Sequence, residues 1–542
     1  MRFFNTAGPV DPVRHYCVPP LERIDLVDVL MLVDQQKYFV MHAPRQTGKT
    51  TCMLALMAYL NGEGRYRCLY CNVEAAQAAR EDVEQGMNDI MREMASRAQY
   101  HLEDEFLFQN LKSLLRDRGY GTALNLGLTR WARQCPKPLV LIIDEIDALV
   151  GDTLISVLRQ LRSGYDKRPA AFPQSIVLCG VRDVRDYRIH SSSDKEIVTG
   201  GSAFNIKSES LRVGDFIETE VQWLLDQHTM ETGQEFTSEA RQAVWDATQG
   251  QPWLVNAVAY EACFRRKTGR DRRQPIGVEM IRQAVENLVV RRETHLDQLA
   301  DKLREERVRR VVEPILTGLG DPRKIPVDDV QYVADLGLIQ SGGHLRIANP
   351  VYREIIPRQL TYSTQLTISH QSFWYMDGDG RLIMDKLLDA FQAFFREHSE
   401  SWLERFDYKE AGPQLLMQAF LQRIVNSGGR VEREYGLGTG RTDLLVIWPV
   451  LPDKGERDFS RTGLPPDRPL QRIVVELKVR RRESLETVKR EGLEQTRKYM
   501  DRCGADEGYL IVFDRRPGIP WEEKLFKEVA SCNDRPIGIW GM

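Results

Sequence analysis

The segment that most narrows the possible folds begins at Tyr38. The apolar run Tyr38-Phe39-Val40-Met41-His42 leads into Ala43-Pro44-Arg45-Gln46-Thr47-Gly48-Lys49-Thr50-Thr51, and a helical stretch follows from Met53 to Leu60. A short buried strand, a loop ending in Gly-Lys-Thr and a helix form the setting in which backbone N–H groups wrap phosphate oxygens. In that setting Lys49 neutralises the outer phosphates and the Thr50 hydroxyl binds Mg2+. The consensus for such a loop starts with glycine. Ala43 stands in its place, the smallest substitute available.

A second segment points the same way. Leu141-Ile142-Ile143-Asp144-Glu145 reads as an apolar strand ending in two carboxylates. Asp144 is expected to hold Mg2+ through water, and Glu145 to orient or deprotonate an attacking water. The plainer alternative is a solvated acidic turn of Asp144, Glu145 and Asp147. Together the two segments predict ATP as ligand, with Ala43 through Thr51 and Asp144 around it and Glu145 as the catalytic carboxylate. Arg182 and Arg185 follow another apolar strand, Ser175 to Cys179. Arg182 is a candidate γ-phosphate sensor, and a surface ion pair is its alternative. Gly250-Gln251-Pro252 opens a helix, with Pro252 suited to the first turn; the segment resembles the GxP turn of STAND-type ATPases, which implies a nucleotide contact at Pro252, and an ordinary helix start is the alternative.

At 542 residues the chain exceeds one core, and roughly 100–200 residues per domain suggests about three or four domains. The net charge of −3 excludes a global attraction to nucleic acid, so any DNA contact must come from local basic patches. No run of about eighteen apolar residues predicts a membrane span, and the N-terminus lacks the apolar stretch of a secretory leader. Nine cysteines without a framework pattern fit a reducing cytoplasm. Cys68 and Cys71 lie three apart on an apparent strand, so they face opposite sides and read as buried thiols.

Short apolar strands alternating with helices predict a parallel α/β sheet covered on both faces. The overall expectation is an α/β multidomain chain. Residues 1–210 read as the phosphate-loop core and 211–290 as a helical lid. Residues 291–360 read as a winged helix, three helices and a Gly-Gly hairpin. Residues 361–380 read as a linker, and 381–542 as a second α/β domain.

Several motifs carry a family resemblance. Phe4-Asn5-Thr6-Ala7-Gly8-Pro9, the loop from Ala43 to Thr50, Thr248-Gln249-Gly250-Gln251-Pro252-Trp253-Leu254-Val255-Asn256 and Ile347-Ala348-Asn349-Pro350-Val351-Tyr352 resemble the AAA-like, STAND-related prokaryotic P-loop ATPases. The resemblance implies an ATPase core, a lid and a winged helix acting as a nucleotide-gated switch. It also implies a homo-oligomer, because such sites often take an arginine from a neighbouring copy.

A second constellation lies near the C-terminus. Gly440-Arg441-Thr442-Asp443 precedes Val474-Val475-Glu476-Leu477-Lys478, which precedes Gln495-Thr496-Arg497-Lys498-Tyr499. Glu476 and Lys478 lie two apart on a strand and so share a face. Asp443 and Glu476 on neighbouring strands would make a hard-oxygen site for Mg2+ or Mn2+, and Lys478 would position the attacking water beside it. The set resembles the PD-(D/E)xK nuclease superfamily, with Asp443, Glu476, Lys478 and the helical Gln495 and Tyr499 in the matching places. Two departures stand out: no helical Glu precedes the core, with Glu410 and Glu434 as substitutes, and the loop between Asp443 and Glu476 is long. Arg480, Arg481, Arg482, Lys489 and Arg490 are candidate phosphate contacts, as are Arg304, Arg307, Arg309 and Arg310 in the winged helix.

The combined expectation is a cytoplasmic ATP-regulated DNA nuclease. Its architecture implies a role in prokaryotic defence and a phage or host protein as trigger. The rival is an ATP-switched signalling or DNA-binding scaffold whose nuclease fold only binds.

Overall fold

The computed structural model describes the chain apart from residues 117–118, 182–188, 191–196, 199–208, 292–301, 304, 318–324, 341–344, 361–374, 404–416, 418–419, 422–429, 438–439, 451–468, 481–482, 515, 517–518 and 533–534. It divides into two compact units. One comprises Met1–His295, Val330–His344 and Ala348–Val351; the other comprises Leu296–Asp329, Leu345–Ile347 and Tyr352–Met542.

In the first unit, α1 (Leu26–Asp34) precedes β1 (Tyr38–His42), α2 (Lys49–Glu63) and β2 (Arg67–Asn72). Helices α3 (Val83–Leu102), α4 (Phe106–Arg116) and α5 (Tyr120–Gln134) lead to β3 (Leu139–Asp144), α6 (Gly151–Arg162) and β4 (Ser175–Gly180). Two short strands, β5 (Ile189–His190) and β6 (Ile197–Val198), pair with each other, and β7 (Glu209–Arg212) follows. The main sheet has the order β2-β3-β4-β1-β7 and is parallel throughout. Strands β3 and β4 are buried along their whole length, which explains their unbroken apolar sequence. Alternate residues feed two cores. Val40, Leu69, Leu141 and Leu178 pack with α3 to α6, while Phe39, Met41, Ile142 and Val177 pack with α1 and α2.

Cys68 and Cys71 fall in opposite cores, both fully buried and free. Burial pushes both thiols far up, so they stay protonated and inert. Edge strand β7, with its part-exposed polar sequence, was not anticipated.

The segment that follows is helical: α7 (Glu218–Thr232), α8 (Ser238–Thr248), α9 (Pro252–Tyr260), a π turn (Glu261–Arg265), α10 (Lys267–Arg270) and α11 (Val278–Arg291). Beyond it lie α12 (Glu306–Thr317), α13 (Val327–Asp335), β8 (Ile339–Gln340), β9 (Arg346–Ile347) and α14 (Pro350–Leu360). Most of the first helix expected for a winged helix, and the Gly342-Gly343 turn, lie outside the described residues.

The second unit is built on α15 (Met384–Leu403), β10 (Arg430–Leu437), β11 (Gly440–Pro449), β12 (Leu470–Arg480), α16 (Leu485–Cys503), β13 (Glu507–Asp514), α17 (Trp521–Lys524), β14 (Phe526–Cys532) and β15 (Arg535–Gly541). Its mixed sheet has the order β10-β11-β12-β13-β15-β14. The β12–β13 and β13–β15 pairs are parallel and the others antiparallel. Helix α15 covers one face with Leu387, Phe391 and Phe395. Helix α16 covers the other, capped at its start by Ser484 Oγ accepting from Thr487 N. Part of the stretch 375–380, read as linker, is buried. Tyr375 and Met376 are buried, and Trp448 Nε1 donates to Gly380 O at 2.8 Å. Strands β14 and β15 were not anticipated.

Candidate functional site

Gly48, immediately before helix α2, has a left-handed φ of +88°, and no side chain caps the helix. Its first N–H groups therefore remain available to an anion, as a phosphate loop requires. Lys49 is 5% exposed, and its Nζ donates to Ala43 O at 2.9 Å and Pro44 O at 3.1 Å. An ammonium this buried, held by neutral carbonyls, suits an anionic ligand. Thr47 Oγ1 donates to Pro44 O at 2.8 Å and tightens the loop. Arg45 and Gln46 are exposed at its tip.

Parallel pairing brings the ends of β1 and β3 to one edge of the sheet, with β4 between them. There Thr50 Oγ1 donates to Asp144 Oδ2 at 2.8 Å. A hydroxyl and a fully buried carboxylate in contact are hard oxygen donors of the kind Mg2+ takes. Tyr70 OH, from β2, donates to the same Oδ2 at 2.8 Å, and Glu145 N donates to Oδ1 at 2.9 Å. Tyr70 was missed in the sequence because nothing in its neighbourhood signals that its hydroxyl reaches the next strand. Its period-2 position opposite Ile142 was the available clue.

Glu145 has φ +56°, an uncommon conformation for a residue with a side chain. It directs the chain into the short turn Ile146–Ala148. Burial, followed by the neighbouring Asp147, raises its carboxyl above the ordinary value. Asp147 Oδ1 accepts from Val181 N at 3.1 Å, tying this turn to the end of β4. Arg182 and Arg185 lie outside the described residues.

The N-terminal segment and α9 border the same region. Val10 N donates to Thr51 Oγ1 at 3.0 Å, and Trp253 Nε1 donates to Thr6 O at 3.0 Å. Pro252 is buried at the first position of α9.

In the second unit, Val474 and Leu445 pack with Tyr499 and Met500 of α16, and Leu510 and Val512 with Val488. Alternation places Glu476 and Lys478 on that same face. Glu476 is 3% exposed, and Lys478 Nζ donates to its Oε1 at 3.0 Å. Gly492 of α16 lies so close to Leu510, the register partner of Glu476, that a Cβ would sit 2.5 Å from it. Gln495 lies one turn further on, its Oε1 buried and without a hydrogen-bond partner among the described residues. Leu444, the residue after Asp443, pairs with Val475, the residue before Glu476. The Asp443 side chain, Glu410 and the Glu434 side chain lie outside the described residues. Among the described residues no three His, Cys, Asp or Glu side chains gather as a metal-binding group.

Several basic candidates are engaged elsewhere. Lys489 donates to Glu528 at 2.7 Å and Arg480 to Asp514 at 3.1 Å. Arg307 and Arg310 both pair with Asp329, at 3.3 Å each. Arg304, Arg481 and Arg482 lie outside the described residues, while Arg490 is exposed.

Comparison with known proteins matches residues 33–187 to the family described as the AAA domain. That span runs from α1 through β1, the loop, β3 and β4. No curated protein matches the chain. Among solved structures it is similar to a Walker-type ATPase of Pyrococcus abyssi, at 14% identity and a TM-score of 0.45 over 65% of this chain and 99% of that one. It is also similar to Cdc6p from Pyrobaculum aerophilum, at 13% identity and a TM-score of 0.35 over 63% of this chain and 93% of that one. The RuvB Holliday junction branch migration motor of Thermotoga maritima gives 12% identity and a TM-score of 0.32 over 62% of this chain and 95% of that one. Likeness this distant adds nothing to the AAA match, which assigns the core. No helix among the described residues is long and apolar enough to cross a membrane.

Proposed function

We propose that this chain, whose core is an AAA-type P-loop domain, hydrolyses ATP and uses the nucleotide to govern a metal-dependent DNA nuclease in its C-terminal unit. The observation that carries the ATPase half is the 2.8 Å contact between Thr50 and Asp144, across the end of the parallel sheet within the AAA match. Lys49 would exchange two loop carbonyls for the β- and γ-phosphates. Thr50 and Asp144 would hold Mg2+, which when bound screens the charge of the phosphate oxygens. Glu145 would accept a hydrogen bond from the attacking water and orient it in line with the γ-phosphate. Its raised affinity for a proton suits a base better than an ordinary surface glutamate would. Pro252 and the turn before it would close on the nucleotide from α9, and Arg182 would sense its γ-phosphate.

The nuclease half rests on one arrangement. Glu476 and Lys478 lie on the face of the sheet that α16 covers, Gln495 lies on α16, and Leu444, next to Asp443, pairs with Val475, next to Glu476. Asp443 and Glu476 would hold Mg2+ or Mn2+, which polarises a scissile phosphate when bound. Lys478, now paired with Glu476, would hold the attacking water beside it, and Gln495 would offer its unpartnered oxygen to the same water. Assembly into a homo-oligomer, a trigger protein from phage or host, a defence role and a cytoplasmic setting complete the reading.

A second reading has an observation of its own. Lys489 and Arg480, two cations expected to grip DNA, are tied to Glu528 and Asp514, which weakens them as phosphate contacts and favours an ATP-switched signalling scaffold that does not cut. Cleavage of supercoiled and linear double-stranded DNA with Mg2+ or Mn2+, with and without ATP, separates the two. Cutting by the wild type that Lys478→Ala abolishes and Lys49→Ala makes indifferent to ATP supports the nuclease. ATP hydrolysis with no cutting under any metal condition supports the scaffold.

A further inference from the structure

Three segments distant in sequence meet on the side chain of Arg23. It closes the short turn Pro20–Arg23 ahead of α1. Its Nη1 donates to Thr47 O, in the phosphate loop, at 2.6 Å. Its Nη2 donates to Gly214 O, between β7 and α7, at 2.7 Å. Its guanidinium carbon lies 4.7 Å from the centre of the Phe216 ring. Gly48 is part of this fit, because a Cβ there would stand 2.7 Å from Arg23 Nη1.

The contacts continue beyond Phe216. Its N–H donates to Gly250 O at 2.8 Å. Gly250 has φ +77°, and a Cβ on it would lie 1.9 Å from Phe216 O, so the two backbones touch. The next residue, Gln251, caps α9 by accepting from Leu254 N at 2.6 Å. An uninterrupted series of contacts thus runs from the carbonyl of Thr47 to the first turn of α9.

Arginine is suited to this place. Its planar fork serves two carbonyls while its face stacks on a ring, which a lysine ammonium does not reproduce. The loop it grips has reason to shift on binding a ligand. Lys49 is bonded to Ala43 O and Pro44 O and must release them to reach a phosphate. Thr47 and Gly48 lie between those carbonyls and the helix.

We propose that Arg23 is a positioning residue that transmits the state of the phosphate loop to α9 through Gly214 and Phe216. This rests on the reading of that loop as the ATP site. Arg23 itself bonds loop carbonyls and needs no contact with the nucleotide.

Hydrogen–deuterium exchange of the full chain, with and without Mg2+ and a non-hydrolysable ATP analogue, tests it. In the wild type the analogue slows exchange both in residues 43–51 and in residues 250–260. In Arg23→Ala the slowing persists in residues 43–51 and falls about tenfold in residues 250–260, the scale of one lost charge-assisted hydrogen bond. Arg23→Lys recovers little of it. Phe216→Leu keeps the guanidinium and removes its stacking partner; it lowers the α9 response about threefold, and it carries the test if Arg23→Ala fails to fold. An α9 response undiminished in these variants overturns the proposal, as does equal loss in both segments, which would make Arg23 a support for the loop alone. A wild type that shows no slowing anywhere, like Lys49→Ala, removes the nucleotide site and the coupling with it.

Discussion

Replacing Tyr70 by Phe removes one oxygen atom, and the structure says where the loss falls. The Asp144 carboxylate accepts from Thr50 Oγ1 and Tyr70 OH on Oδ2, and from Glu145 N on Oδ1. If Thr50 turns to a metal ion, Tyr70 remains as the side-chain donor among these three. Burial, with Asp144 beside it, pushes the Tyr70 phenol far up, so it is a donor at every working pH. A hydrogen bond to a charged acceptor is worth about 1.5–3 kcal/mol. The phenyl ring fills the same space, so no cavity follows, and no orphaned donor is left. If the bond serves to aim Asp144, the loss appears in the barrier and slows ATP hydrolysis by about 10- to 100-fold. The Mg2+ concentration giving half-maximal activity rises, and the melting temperature drops by only a few degrees. The assay is steady-state phosphate release at saturating ATP over a Mg2+ titration, with thermal unfolding of both proteins alongside. Unchanged turnover and Mg2+ dependence in a normally folded Tyr70→Phe protein would refute the reasoning and leave Tyr70 as a core residue with a convenient partner.

The raised proton affinity of Glu145 makes turnover fall on the acid side with a midpoint above the ordinary glutamate value of 4.5. Ionised Glu145 also weakens the fold. The sign follows from the folded protein holding this proton more tightly than the unfolded chain, so the penalty is full above the folded pKa and vanishes below 4.5. Glu145→Gln therefore abolishes hydrolysis while raising the melting temperature at pH 7, and that gain shrinks on acidification; thermal melts across pH check it. Gly250→Ala forces a methyl group onto Phe216 O at φ +77° and costs about 3 kcal/mol or more in denaturant unfolding, combining overpacking with left-handed strain. Lys478→Ala lowers metal-dependent DNA cleavage by at least about 100-fold. It leaves ATP hydrolysis, measured in the same samples, at the wild-type rate.

The AAA core was legible because its signals are local. A strand, a loop and a helix contiguous in sequence make the candidate phosphate loop, and the unbroken apolar runs at Leu139 and Ser175 announced strands buried on both faces. Adjacent residues keep their spacing whatever the remainder of the chain does. The alternation of side chains was equally local: it sent Cys68 and Cys71 into opposite cores and put Glu476 and Lys478 on one face. Edge strand β7 escaped because its sequence is polar, β14 because most of its positions are exposed, and β15 because Pro536, Gly538 and Gly541 break up its apolar residues.

The sequence by itself determined which residues are candidates for the chemistry: Lys49, Thr50, Asp144 and Glu145 in one place, Glu476 and Lys478 in another. Only the tertiary structure decided what stands beside them. Pairing of β2 with β3 brought Tyr70 to Asp144, the fork of Arg23 joined Thr47 to Gly214, and Glu528 and Asp514 engaged Lys489 and Arg480. Those partners lie from 24 to 191 positions apart. The physical reason is the reach of each signal. Backbone geometry relates residues a few positions apart, whereas strand order and close packing choose which distant side chains meet.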